Sequence, residues 1–211
     1  MTPASETYAA RLTIDYPDRD LDRLSTLLRL IYFIPIAIVL GLVGGSELGG
    51  AFAENGDTIG AFGGGVLVAP VLLMILFRQK YPRWWFDFNL QLARFSTRVL
   101  AYLALMSDKY PSTDEEQEVH LDLDYPNVTQ DLNRWLPLVK WLLAIPHFIV
   151  LFFLAIAAVL AVVFAWFAVL FTGRYPRGVF DFVEGVLRWG LRVEAYALLL
   201  VTDRYPPFSL A

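Results

Sequence analysis

Residues 10–16 alternate, with Leu12, Ile14 and Tyr16 on one side and Arg11, Thr13 and Asp15 on the other. Period-two patterning predicts a short strand over 10–16, stopped by Pro17, which cannot donate to a ladder. The pattern returns at 118–125, where Val119, Leu121 and Leu123 alternate with His120, Asp122 and Asp124 and the run stops at Tyr125-Pro126. An isolated strand leaves an unsatisfied edge, so the two are expected to lie together.

A second pattern is continuous and apolar. It runs over about 24–43, where Arg29 is expected to snorkel to an interface and Pro35 to kink the helix, and again over about 61–77 around Pro70. Between them, 44–60 carries Glu47, Glu54 and Asp57 and no Lys or Arg. The pairs Gly41/Gly45 and Gly60/Gly64 are read as close helix approach in a hairpin rather than as a dimer seam. Trp141 to Phe171 has no Asp, Glu, Lys or Arg. As one helix it would be about 46 Å long, against a hydrocarbon core of roughly 30 Å. The reading is therefore a hairpin over about 136–172, turning near Ala155–Val159, with Ala157, Ala161 and Ala165 as its packing face. A fully spanning and a re-entrant hairpin both fit.

A third pattern has the period of a helix and occurs twice. Asp87, Arg94, Arg98 and Tyr102 share the spacing of Asp181, Arg188, Arg192 and Tyr196. At 100° per residue each set falls on one stripe of a helix, predicted over about 84–106 and 178–201. Sending the first through lipid would bury Asp87, Arg94 and Arg98 at a cost of roughly 8–10 kcal/mol, so both are placed at the membrane surface. Other correspondences align the halves: Asp131-Leu132-Asn133-Arg134 with Asp20-Leu21-Asp22-Arg23, Lys140 with Arg29, and Pro146 with Pro35. Six of the ten tyrosines precede proline and so punctuate the elements. The predicted fold is mainly α, an integral membrane protein of two tandem repeats. Each repeat has a short β-strand, a transmembrane helical hairpin and an interfacial amphipathic helix. The repeats are 1–111 and 118–211, joined by an acidic linker at 112–117.

Composition agrees with a membrane protein: 57% of the 211 residues are hydrophobic, and mean hydropathy is +0.51. A net charge of −4 argues against nucleic acid as a partner. Zero cysteines exclude disulfides and thiolate metal sites. The first residues lack the basic and apolar regions of a cleaved signal peptide, so the first apolar helix is expected to direct insertion. All 17 Lys and Arg avoid the 44–60 loop and the tip of the second hairpin. The positive-inside rule then places both termini, the linker and both striped helices in the cytoplasm.

The tract Thr172-Gly173-Arg174-Tyr175-Pro176-Arg177, Phe180-Asp181-Phe182, Arg188-Trp189, Arg192-Val193, Tyr196 and Thr202-Asp203-Arg204-Tyr205-Pro206-Pro207-Phe208 resembles a bacterial membrane family known as domain of unknown function 4389. Ile145-Pro146-His147 is similar to it as well. The resemblance extends over nearly the whole chain as two units. The first departs from it at Tyr32-Phe33-Ile34-Pro35-Ile36, which lacks the His, and at Ser107-Asp108-Lys109-Tyr110-Pro111-Ser112, which lacks the second Pro and the Phe. It implies a multi-pass protein of the bacterial inner membrane and no particular activity.

The sequence has no P-loop, dinucleotide fingerprint, HExxH or GxSxG. His147 is the one histidine in an apolar segment, and it is read as bonding a backbone carbonyl freed by Pro146. His120, Asp122 and Asp124 are read as a solvated strand face rather than a cation site. Two readings of the stripe stay open. Arg94, Arg98, Arg188 and Arg192, with Asp87, Asp181, Tyr102 and Tyr196, contact anionic phospholipid or a partner. Alternatively the arginines pair inside the protein, Glu184 with Arg188 and Asp87 or Asp181 with an arginine of the other half. The expected function is a non-catalytic accessory or scaffold protein, without cofactor or metal. It would act through anionic lipid, another membrane protein or self-association. The alternatives are an oligomeric channel or transporter component and a lipid-acting membrane enzyme.

Overall fold

A computed structural model describes residues 8–17, 20–44, 63–113 and 115–211. In chain order the elements are β1 (Ala10–Ile14), α1 (Arg23–Gly44), α2 (Gly63–Leu73) with a wide helical turn at Met74–Arg78, α3 (Arg83–Leu103), β2 (Val119–Leu123), α4 (Val128–Asp131), α5 (Pro137–Leu143), α6 (Ile145–Thr172) and α7 (Arg177–Ala197).

The alternating segments pair with each other. β1 and β2 form an antiparallel two-stranded sheet in the register Leu12↔Leu121. Both strands bury every second residue: Ala10, Leu12 and Ile14 on β1, Val119, Leu121 and Leu123 on β2. That apolar face is covered crosswise. α7, late in the chain, packs on β1, and α3 packs on β2. The Tyr-Pro turns repeat the exchange. Tyr16 donates to the Tyr175 carbonyl at 2.5 Å and Tyr125 to the Tyr81 carbonyl at 2.5 Å. Arg177 sits over the Tyr16 ring at 4.3 Å and Arg83 over the Tyr125 ring at 4.7 Å.

α3 and α7 each have 21 residues and start directly after a proline, Pro82 or Pro176, whose fixed φ suits a helix entry. They end at leucines forced into left-handed backbone, Leu105 (φ 64°) and Leu200 (φ 56°). Such a conformation is costly for a bulky side chain and persists where surroundings over-determine it. Both leucines are almost wholly buried, at 2% and 0% exposure.

The expected architecture of two transmembrane hairpins is not what forms. Among the described residues one helix, α6, is long and apolar enough to cross a membrane: 28 residues with a mean hydropathy of 3.2 over its most apolar window. α6 runs unbroken through Ala155–Val159, where a hairpin turn was expected. Those residues offer no Gly, Pro or polar side chain to stop a helix, and local propensity prevails over the length argument. The break falls instead at Ala144, whose backbone joins α5 to α6 just before Pro146. The second expected span, 61–77, is only the 11-residue α2 followed by the wide turn. The multi-pass topology and the cytoplasmic placement derived from it are overturned with the hairpins. The 44–60 loop lies outside the described residues apart from Gly44, so the glycine pairs at its edges are not described as pairs.

Among the described residues, α6 is held on one flank only. α7 and α1 pack against it, and His147, Ala165 and Val169 are its buried residues. Phe152, Phe153, Val159, Leu160, Phe164 and Phe171 are each more than 60% exposed.

Candidate functional site

The polar chemistry gathers at the ends of α3 and α7 and follows one plan twice. Arg29 on α1 is 2% exposed. It donates to the Tyr102 carbonyl at 2.6 Å and to Asp108 Oδ1 at 2.5 Å, with its guanidinium 4.4 Å from the Tyr102 ring centre. Lys140 on α5 is fully buried. It donates to the Thr202 carbonyl at 2.7 Å, pairs with Asp203 Oδ1 at 2.7 Å, and lies 5.1 Å from the centre of the Tyr196 ring. Each aspartate also accepts a backbone N–H from the segment leading into the cation's helix. Asp22 N–H donates to Asp108 at 3.0 Å and Asn133 N–H to Asp203 at 2.5 Å. Burial pulls the Lys140 ammonium below the usual lysine range, and Asp203 opposes that shift. Arg29 therefore does not snorkel; its charge is turned inward.

The arginine stripe is used within the chain. Arg94 donates through Nε to the Leu121 carbonyl at 2.8 Å and pairs with Asp122 at 2.8 Å. Arg188 donates through Nε to the Leu12 carbonyl at 2.9 Å, reaches the Leu210 carbonyl at 3.2 Å, and pairs with Glu184 at 2.5 Å. Arg98 donates to the Ser112 carbonyl at 2.8 Å, and Arg192 to the Ser209 carbonyl at 3.4 Å. Asp87 and Asp181 do not meet these arginines. They pair one turn back, with Arg83 at 3.9 Å and Arg177 at 3.3 Å. Tyr102 and Tyr196 lie under the buried cations. The stripe thus divides into a clamp on the strands and tail, a seat for a buried charge, and an exposed pair at the helix start.

His147 stands in an aromatic box and not against a carbonyl. Trp189 Nε1–H donates to its Nδ1 at 3.1 Å, Phe208 stacks on the ring at 3.9 Å, and Tyr205 lies 4.8 Å away. An Nδ1 that accepts must be unprotonated, so the proton of the neutral ring is on Nε2. Nε2 is buried and has no acceptor among the described residues. On the exposed sheet face Arg11 pairs with Asp124 at 2.7 Å, and His120 Nε2 lies within hydrogen-bond distance of Asp15 Oδ2 at 3.1 Å. Among the described residues no group of three or more His, Cys, Asp or Glu is placed to hold a metal ion.

A cavity of about 310 Å³ lies where α1, the end of α3 and α6 meet, lined by Thr26, Arg29, Leu103, Leu105, Val162, Val163 and Trp166. Arg29 Nε has no acceptor among the described residues. Most of the cavity's lining is apolar. Arg29, Lys140, Asp108 and Asp203 were absent from the stripe-based site. Their signal was present in the sequence, in the match of Lys140 to Arg29 and in the Asp that opens Asp108-Lys109-Tyr110-Pro111 and Asp203-Arg204-Tyr205-Pro206.

Compared with known proteins, residues 135–209 match the model of the family Domain of unknown function (DUF4389). The match is one region, not the two units the resemblance implied. It takes in α5, α6, α7, the Lys140–Asp203 pair and the box around His147. No curated protein and no solved structure matches the chain.

Proposed function

We propose that this protein is a non-catalytic, membrane-attached accessory or scaffold protein, working through partner membrane proteins and anionic phospholipid. The observation that carries this reading is α6: only 6% of its most apolar stretch is buried within the protein. A contiguous apolar surface of that size is covered by lipid or by another protein in a stable state. Exposed cations near the ends of the helices, among them Arg174, Arg177 and Arg83, suit lipid phosphate at the rim of such a surface. The scaffold reading, as against an enzyme, is supported by where the polar groups point. The arginines and both buried cations direct their hydrogen bonds to strands, turns and tail of the same chain.

The first half of the chain is, on this reading, a diverged counterpart of the matched region. The paired contacts Arg29–Asp108 and Lys140–Asp203, and Arg94 to Leu121 and Arg188 to Leu12, support that.

Flotation with vesicles of phosphatidylcholine and phosphatidylglycerol, followed by purification from native membranes in mild detergent, tests the function. The expected result is flotation with the vesicles and recovery of a defined protein complex with bound phospholipid. A protein that stays in the dense fraction and elutes alone and free of lipid would sink the proposal.

A further inference from the structure

We infer that α6 does not cross the bilayer but lies along its surface, with its outer face sunk into a single leaflet. This rests on the membrane attachment proposed above and adds the orientation of the helix to it.

α7 limits how α6 can lie. It follows α6 after the short link 173–176 and returns along it. Trp189 reaches His147 near the start of α6, and Ala144 clusters with Trp189, Val193, Tyr196 and Ala197. On α6 the covered positions recur at 147, 151, 154, 158, 161 and 165. Spacings of three and four make a seam along one side of a helix. At 1.5 Å per residue α6 is roughly 42 Å long and α7 roughly 31 Å, so the two lie side by side for most of their length.

α7 is also the helix that carries the sheet. Glu184 accepts the Ile14 N–H, Arg188 donates to the Leu12 carbonyl, and the Tyr8 hydroxyl reaches the Arg192 carbonyl. β1 is therefore tied to the middle of α7. The outer face of the sheet bears Arg11, Asp15, His120, Asp122 and Asp124, with Arg11–Asp124 and Arg94–Asp122 as ion pairs. Packed helices lie about 8–10 Å apart. Standing α6 along the membrane normal would bring Glu184, Arg188, Arg192 and that charged sheet to hydrocarbon depth beside it, where ionised side chains are strongly disfavoured. Laying α6 flat puts only its apolar flank in lipid.

Two further features fit the flat placement. α1 packs against α6, and its exposed residues Leu24, Leu27, Ile31, Ile34 and Ile38 form a second apolar ridge at spacings of three and four. Helices that lie in the interface are normally amphipathic, whereas α6 is apolar all round. Here the polar side is supplied by α7, and the pair is the amphipathic unit.

The test uses the absence of native cysteine. Single cysteines at Ile149, Phe153, Leu160, Phe164 and Phe171 fall within an arc of about 60° on one face at 100° per residue. All five positions are at least 56% exposed, so substitution leaves the packing intact. Each variant of the full chain, bound to phosphatidylcholine–phosphatidylglycerol vesicles, carries a nitroxide whose depth is read by relaxation with oxygen and a polar paramagnetic reagent. The expected profile is flat, with all five labels at one shallow depth. A profile that deepens by about 15 Å, half the hydrocarbon thickness, from 149 to 160 and rises again to 171 would overturn the inference and leave membrane attachment standing. Failure of the unlabelled chain to float with the vesicles would overturn both.

Discussion

A buried charge costs most when its partner is taken away, and that governs the two cation seats. Arg29→Gln or Lys140→Met strands Asp108 or Asp203 in a site built for an ion pair. Each is expected to lower stability by about 3–5 kcal/mol, read as a loss of melting temperature in detergent. Arg83→Gln and Arg177→Gln remove exposed pairs and are expected to change it by roughly 0–1 kcal/mol. The tyrosines set the alkaline limit. Burial pushes the phenols of Tyr8, Tyr81 and Tyr175 well above their ordinary value near 10. The unfolded chain then releases protons that the folded chain retains, so their stabilisation is complete below pH 10 and is lost as pH rises beyond it. Melting temperature measured from pH 8 to 12 should hold level and then fall. Tyr175→Phe should shallow the fall, and an unchanged alkaline limb in that variant would remove Tyr175 from the account. The position of these groups was legible in the sequence, since Lys140 aligns with Arg29. Their role was not, because a lone cation near the start of an apolar run looks the same whether it reaches out to water or in to an aspartate 79 residues away.

At the scale of elements, the strands and the two long helices were readable from periodicity, because alternation and the 3.6-residue stripe each report a half-buried face. α6 was not, because a run that is apolar on every side carries no period to show which residues face protein. Length alone then suggested a hairpin. Its unbroken course has a direct test at Ala157, which is not covered by the protein and lies amid the expected turn. Ala157→Pro removes a backbone donor from the helix interior and is expected to cost about 3 kcal/mol or more. A turn there would accept proline without loss, so an unchanged melting temperature would restore the hairpin. Leu12 and Leu121 face one another across the sheet at 2% exposure each. Changing either to Ala is expected to cost about 2–5 kcal/mol.

Over the whole molecule, the crosswise packing makes the two halves each other's core. β1 has α7 as its cover and β2 as its neighbour, and α3 covers β2. The single-region family match to 135–209 leaves out both strands, so that stretch by itself holds helices whose sheet is elsewhere in the chain. A fragment beginning at residue 135 is expected to leave Arg188 without its Leu12 acceptor and to show reduced near-ultraviolet ellipticity compared with the full chain; equal spectra would show that it packs unaided. The same exchange bears on synthesis. β1 leaves the ribosome roughly a hundred residues before its pairing strand, with α7 later still. At about 5–20 residues per second, the alternating segment that becomes β1 waits several seconds or longer for a partner and longer again for its lid. During that interval its apolar face and open edge are exposed to any neighbouring strand. Until β2 and α7 are made, β1 lacks the neighbours that pair with it and cover it in the fold.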